Sequence, residues 1–439
     1  MAIVQECLFQ WSDVEASSEI QRFALILENL PDEALMRHLE ADRAGKRNDN
    51  PIRAMWNSLI AALVFRHPSI ESLRAELGRN GELRQVCGFD PLKKAEEATP
   101  SPDAYSRFIK KLTEHEAMVA DIFHALVERL RELLPDFGQR LAADGKAIRA
   151  ARKDDADAAV GHKKIACPDH EDGEISYKWF GYKLHMLADA TYELPVAFEI
   201  TNASEHESPH LMQLMKTIAE RHPQIIERAE TLAADKGYDD GADKQALYDD
   251  YGIAPLIPAR DLHKGQYRPL DESAHDTIFV GATGEVCCKI HPFATDDAER
   301  FAPMPFCGFE EKRGTLKFRC PAAAYGLTCD NRAACACRPS VKDGQWGRTV
   351  RVKIKDQPRL WGPIYEHSYR FKDIYKGRTS VERLFFRVDH LYGFERHHTV
   401  GLKRMQLRGT LAMIAMQATA VGWIILGQKE RIRSLRLAA

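Results

Sequence analysis

The stretch that most restricts the fold is Gly409–Gln428, GTLAMIAMQATAVGWIILGQ, 20 residues without a charge. It is long enough to span a bilayer. It also carries Thr410, Gln417, Thr419 and three glycines, and no second run of this kind exists. A helix that is apolar all round is otherwise the centre of a large domain. We therefore read it as a buried core helix and expect no membrane association. The rest of the chain must surround it on every side, and 439 residues suffice for two or three domains with real cores. The start, MAIVQECLFQWSDVEA, has neither a basic opening nor a long apolar run, so no secretory signal is expected.

Charge is unevenly spread. The whole chain carries −2, yet Trp346–Ala439 holds 19 Lys and Arg against 7 Asp and Glu. A basic C-terminal quarter, ending in the tail 429–439, is the footprint of a polyanionic partner. Its alternative is a solvated surface beside an acidic domain. Ten cysteines are present, seven of them between Cys287 and Cys337. Without secretion, metal binding or inert burial is the expected use rather than a disulfide framework.

Residues 1–135 read as helical. Apolar residues recur at helical spacing in LPDEALMRHLEA, PIRAMWNSLIAALVFRH and SIESLRAELGRNGELRQV, with Ser69 as a helix start. AYSRFIKKLTEHEAMVADIFHALVERLREL reads as one long amphipathic helix. This region is either a DNA-binding helical domain or a bundle with ordinary surface charge. From about Arg140 the period shortens. RLAADGKAI, YKWFGYKLHMLADA and LPVAFEIT predict three strands, the last two joined by a turn at Ala190–Glu193. A helix from Ser208, a strand in AETLAADKGYDD, a helix in ADKQALYDDY and a strand in APLIPA follow. That order fits a mixed α/β sheet flanked by helices. Residues 261–365 break the pattern, and the core resumes over 366–428.

Three carboxylates have matching placements. Asp144 and Asp235 are read at strand ends, each followed by glycine within two positions. Glu382 opens a helix in RTSVERLFF, three residues after Thr379 as in a capping box. Such carboxylates could hold a hard cation such as Mg²⁺ or Mn²⁺. Two such ions can activate water and stabilise a leaving oxygen in phosphodiester cleavage. An aspartate at a strand end is also a common turn former. Lys183 and His185 are expected on the sheet's solvent side, and His206 as a helix-capping histidine.

The wording of four segments resembles a DDE transposase of bacterial insertion sequences. They are AADGKAI, FGYKLHMLADATYELPVAFEITNASEHES, TLAADKGYD and YKGRTSVERLF. The last is similar to the family's Y-(2)-R-(3)-E-(6)-K signature through Tyr375, Arg378 and Glu382, and departs from it at Asp389. The resemblance implies a ribonuclease H-like catalytic core, split as 136–260 and 366–428. It implies Asp144, Asp235 and Glu382 as the metal-binding triad for two Mg²⁺ or Mn²⁺ ions. It also implies nicking at element ends, strand transfer to target DNA, a dimer or larger active complex, and a place at the bacterial nucleoid. Arg378 on the face of Glu382 is placed to hold a phosphate. Tyr375 is read as a DNA contact or a core residue. With an aspartate at 389, either that position is exposed and tolerant, or Arg387 or His390 takes over from the missing lysine, with Arg383 beside them on the DNA side. A nuclease that cuts without joining, or a relic that only binds DNA, is the rival reading.

Cys307, Cys320, Cys329, Cys335 and Cys337 lie in a stretch that reads as too polar to build a core of its own. A structural Zn²⁺ site among them is expected on that ground, although no C-x2-C pair is present.

Overall fold

A computed structural model describes residues 18–43, 50–166, 174–270, 277–290, 300–325 and 347–435. Its first part is helical: α1 Ser18–Glu28, α2 Glu33–Ala41, α3 Ile52–Val64, α4 Ile70–Arg79, α5 Gly81–Cys87, α6 Ala95–Ala98, α7 Pro102–Glu114 and α8 Glu116–Leu133. Local chemistry sets these starts. Ser69 Oγ accepts from the Ser72 N–H at 3.2 Å, and Ser101 Oγ from the Ala104 N–H at 3.2 Å, with Pro102 in the first turn. The long amphipathic run expected over 104–133 is two helices, broken at His115. The hydrophobic spacing continues across the break, so periodicity alone could not reveal it.

The central sheet contains β1 Arg140–Arg149, β2 Ala159–Ala166, β3 Glu174–Asp189, β4 Leu194–Asn202, β5 Thr231–Ala233 and β6 Ala254–Leu256. The helices α9 Glu207–Arg221, α10 Pro223–Arg228 and α11 Gly241–Asp249 connect the later strands. β3 is the long spine. Its second half pairs antiparallel with β1 and β4, and its first half with β2. β1, β5 and β6 run parallel, in the order β1-β5-β6. The sequence reading missed β2, whose AVGHKKIA is interrupted by a glycine and by His162, Lys163 and Lys164. Asp144 is not at a strand end. β1 continues to Arg149 because β3 pairs with it all the way to Gly181. The parallel pairing with β5, however, stops at Ala142↔Ala233.

After α11 the chain forms two small antiparallel sheets. One contains β7 Arg268–Pro269, β8 Ile278–Val280, β9 Val286–Ile290 and β10 Arg300–Pro303; the other contains β11 Phe306–Glu310, β12 Thr315–Arg319 and β13 Thr349–Lys353, with α12 Pro321–Tyr325 after β12. The expectation that this stretch lacks a core is overturned. Leu316, Phe318, Val350, Val352, Leu360, Trp361 and Tyr365 form a buried cluster of their own. Its apolar residues alternate along β12 and β13, a pattern hidden by the charges between them.

The chain then returns through α13 Tyr369–Tyr375, α14 Thr379–Tyr392 and α15 Leu402–Ile425. α15 carries the uncharged run and is buried almost throughout, between the sheet and the N-terminal helices. Two glycines let its backbone approach: a Cβ on Gly409 would come within 2.6 Å of Ile200, and one on Gly422 within 2.5 Å of Leu25. Gln417 Nε2 donates to the Pro195 carbonyl at 2.8 Å, and the Thr410 and Thr419 hydroxyls bond back to the helix. The Gln417 amide nitrogen and both hydroxyls are therefore partnered inside a protein core, while Gln417 Oε1 is buried without a partner. Among the described residues no helix is long and apolar enough to cross a membrane.

Candidate active site

β1 and β5 set the geometry of the first two carboxylates. Ala142 and Ala233 are the last parallel pair, and Asp144 and Asp235 each lie two residues beyond it. Two neighbouring strands thus deliver two carboxylates to the same edge of the sheet. Asp144 is buried, with the Gly145 N–H donating to its Oδ1 at 2.8 Å. Burial pushes its carboxyl up to about 6; Lys163 on β2 opposes the rise, and the Asp235 charge adds to it. Asp235 is half-buried and caps the 3₁₀ turn Lys236–Tyr238, accepting from the Gly237 N–H at 2.6 Å.

The third carboxylate arrives on α14. α13, a 3₁₀ turn at Lys376–Arg378 and α14 follow without a break in right-handed backbone. The expected start at Thr379 is found, but its capping box is not: the Thr379 hydroxyl donates to the Lys376 carbonyl instead. Helical spacing places Arg378 one turn before Glu382. Arg378 bridges the two sides of the site, 2.7 Å from Glu382 Oε1 and 3.4 Å from Asp144 Oδ2. Tyr375 packs on Phe371, with ring centroids 5.6 Å apart. Burial raises its hydroxyl pKa; Arg378 opposes the rise, and Asp235 and Asp144 add to it. The three carboxylates surround this corner, but their oxygens do not all lie within 4.8 Å of one another.

A fourth acid was not singled out from the sequence. Glu207, the first residue of α9, projects its carboxylate over the two glycines that follow the aspartates. A Cβ on Gly145 would meet Glu207 Oε1 at 2.8 Å, and one on Gly237 would meet Oε2 at 3.0 Å. Close approach of Glu207, rather than a sharp turn, is what glycine allows here. Tyr238 lies among these acids: its hydroxyl is raised far above its usual range by burial, then by Glu207, Asp144 and Asp235. The signal in the sequence was the HES triplet at the start of α9, separated by three residues from the end of β4. His206, read there as the cap, makes no side-chain capping bond. Lys183 and His185 are buried, not on a solvent face, because α9 covers that side of β3. Lys183 Nζ donates to the Glu205 carbonyl at 2.8 Å and lies 3.6 Å from Glu207. His185 bonds Thr201 and stacks on His210, and burial drops its imidazole to about 3.

Asp389 has its own partner. Lys146, two residues beyond Asp144, lies 2.6 Å from Asp389 Oδ2 and 2.5 Å from Glu395 Oε1. Burial raises the Asp389 carboxyl to about 6, whereas Lys146 is raised despite its burial by the same two acids. The two shifts differ because one ammonium is shared between two carboxylates, so the lysine gains twice and each acid only in part. Arg387 does not replace the signature lysine. It is 3% exposed, donates to the Glu193 and Ile432 carbonyls and pairs with the Glu193 carboxylate, tying α14 to the β3–β4 turn. Arg383 is 54% exposed and pairs with Glu193 at 2.6 Å. His390 is exposed and stacks on Phe386.

Of the expected zinc ligands, Cys329, Cys335 and Cys337 lie outside the described residues. Cys307 is exposed and Cys320 half-buried, both as free thiols. Neither enters a group of three metal-capable side chains among the described residues.

Residues 135–417, well over half of the chain, match the family described as the transposase DDE domain. No curated protein matches. Among solved structures, the cryo-EM structure of a piggyBac transposase synaptic complex with hairpin DNA is similar at 11% identity, covering 96% of this chain and 80% of that one. Its TM-score is 0.37, too distant a likeness to bear on the fold.

Proposed function

Since the chain belongs to the DDE transposase family, we propose that it cleaves and joins DNA at the ends of an insertion sequence, with Asp144, Asp235 and Glu382 as its metal-binding triad. The observation that carries this reading is the register of β1 and β5, which sets Asp144 beside Asp235 at one sheet edge, with Glu382 joined to Asp144 through Arg378. The strand order β4-β3-β1-β5-β6, with only β3 antiparallel to its neighbours, supports a ribonuclease H-like core.

The residues fit divalent cations. All donors are carboxylate oxygens, the set preferred by Mg²⁺ and Mn²⁺. A cationic guanidinium already bridges two of them. Bound there, two such ions would supply charge neutralisation and an activated water or hydroxyl. The remaining work belongs to the chain. Arg378, released from Asp144 and Glu382, is the group that would hold a phosphate. Glu207 adds negative charge from the α9 side, and Lys163 is an exposed cation close enough to act on Asp144. Tyr375 would line the DNA path with Arg378 and Arg383. Joining two ends requires two active sites, so the working complex is a dimer or larger, acting on chromosomal DNA in the bacterial cytoplasm.

The test is incubation of the protein with Mg²⁺ and the DNA flanking its own gene, with both nicked and joined products mapped. Nicks at element ends together with strand-transfer products are expected. Nicks alone would favour a nuclease, and binding without nicks a relic.

A further inference from the structure

A second constellation lies far along the chain from the carboxylates, in the N-terminal helices. His38 and Asp42 stand four apart at the end of α2, and His115 sits at the junction of α7 and α8. One ligand-capable atom of each lies within 4.8 Å of the others. The two imidazoles meet edge to face, with centroids 4.6 Å apart. His115 Nε2 is 3.6 Å from Asp42 Oδ2. Ligands bound tetrahedrally at about 2.0–2.1 Å stand about 3.4 Å apart, so this pair is nearly at that spacing already. His38 Nε2 is buried and has no hydrogen-bond partner among the described residues, an uncommon state for a buried polar atom. We propose that His38, Asp42 and His115 bind one Zn²⁺ ion that staples α2 to the α7–α8 junction.

The donor chemistry selects the ion. Two imidazoles and one carboxylate suit zinc and disfavour Mg²⁺, which prefers oxygen ligands throughout. The i, i+4 spacing puts His38 and Asp42 on one helix face. Asp42 is exposed and offers an entry path, and water would complete the coordination of a bound ion. Lys111 on α7 now holds the place of the cation: its Nζ is 2.8 Å from Asp42 Oδ2. Zinc must displace that ammonium, so Lys111 competes with the metal.

The test is equilibrium dialysis of the full chain, stripped of metal, against ZnCl₂ in excess Mg²⁺, with bound zinc measured by mass spectrometry. His115→Ala and Asp42→Asn should each bind one equivalent less than wild type, or bind it at least about tenfold more weakly. Cys307→Ser and Cys320→Ser should leave that equivalent in place. Lys111→Met keeps an unbranched apolar stem while removing the ammonium and should tighten zinc several-fold, so it keeps the test readable if a histidine variant misfolds. Equal zinc in wild type, His115→Ala and Asp42→Asn would overturn the site, as would weaker binding by Lys111→Met.

Discussion

Restoring the family's lysine at position 389 should harm this protein. Asp389 Oδ2 lies 2.6 Å from Lys146 Nζ, and the lysine side chain is 14% exposed. Asp389→Lys exchanges an attraction for two ammoniums about 4 Å apart, which repel by about 4 kcal/mol at an effective dielectric of about 20. Rotation of the new side chain toward solvent relieves part of that, while the broken pair adds a cost of its own. A net loss of about 3 kcal/mol is expected. Asp389→Asn should stay within about 1 kcal/mol of wild type, because burial of the carboxylate opposes its attraction to Lys146, which keeps Glu395 at 2.5 Å. The reversed pair, Lys146→Asp with Asp389→Lys, should recover at least about 1 kcal/mol in a double-mutant cycle. The assay is the urea midpoint followed by tryptophan fluorescence at unchanged slope. An Asp389→Lys variant within about 0.5 kcal/mol of wild type, or one that binds and cuts DNA better, would refute a structural role for Asp389.

Other outcomes follow from the same contacts. Gly145→Ala places a methyl 2.8 Å from Glu207 Oε1; Mg²⁺-dependent cleavage should fall at least about tenfold with circular dichroism unchanged, and full activity would contradict Glu207's place in the site. Arg387→Ala leaves buried Glu193 with less compensation and should cost about 3 kcal/mol of stability without altering the salt dependence of DNA binding. A changed salt slope would restore Arg387 as a phosphate contact. Acid should destabilise the fold. His124, His185 and His397 are lowered by burial to about 4, about 3 and about 4, so their contribution is complete above about pH 6.5 and is lost as pH falls. Asp144, Asp189 and Asp389, raised by burial to about 6, work in the opposite sense, gaining stability as pH falls from about 6 toward 4. The unfolding free energy should drop by about 1 kcal/mol from pH 7 to 6 and then change more shallowly; a steady rise on acidification would refute the balance.

Much of this was legible in the sequence because local chemistry decided it. Ser69 fixed a helix start, the apolar run of α15 demanded enclosure, alternation marked β3, and β-rich composition marked β4. The pairing of Asp144 with Asp235 depends on the register of two strands about 90 residues apart, which spacing cannot supply. What failed was long-range in the same sense. Glu207 meets Gly145 only because α9 folds back across β3. Asp389 reads as a wrong-signed residue until Lys146 is seen on the neighbouring strand. Arg387 reads as a surface cation until the β3–β4 turn closes over it. The core beneath β12 and β13 escaped because its apolar residues are diluted by charges that face outward.

Asp144, Asp235 and Glu382 are proposed to act as one metal-dependent unit. Asp144→Asn, Asp235→Asn and Glu382→Gln keep size and hydrogen-bonding shape while removing the charge. The decisive measurement is Mg²⁺-dependent cleavage of the protein's own flanking DNA by each variant, at protein concentrations where DNA binding is matched to wild type. All three should bind DNA and cut none of it. Full cleavage by any one of them would contradict the triad.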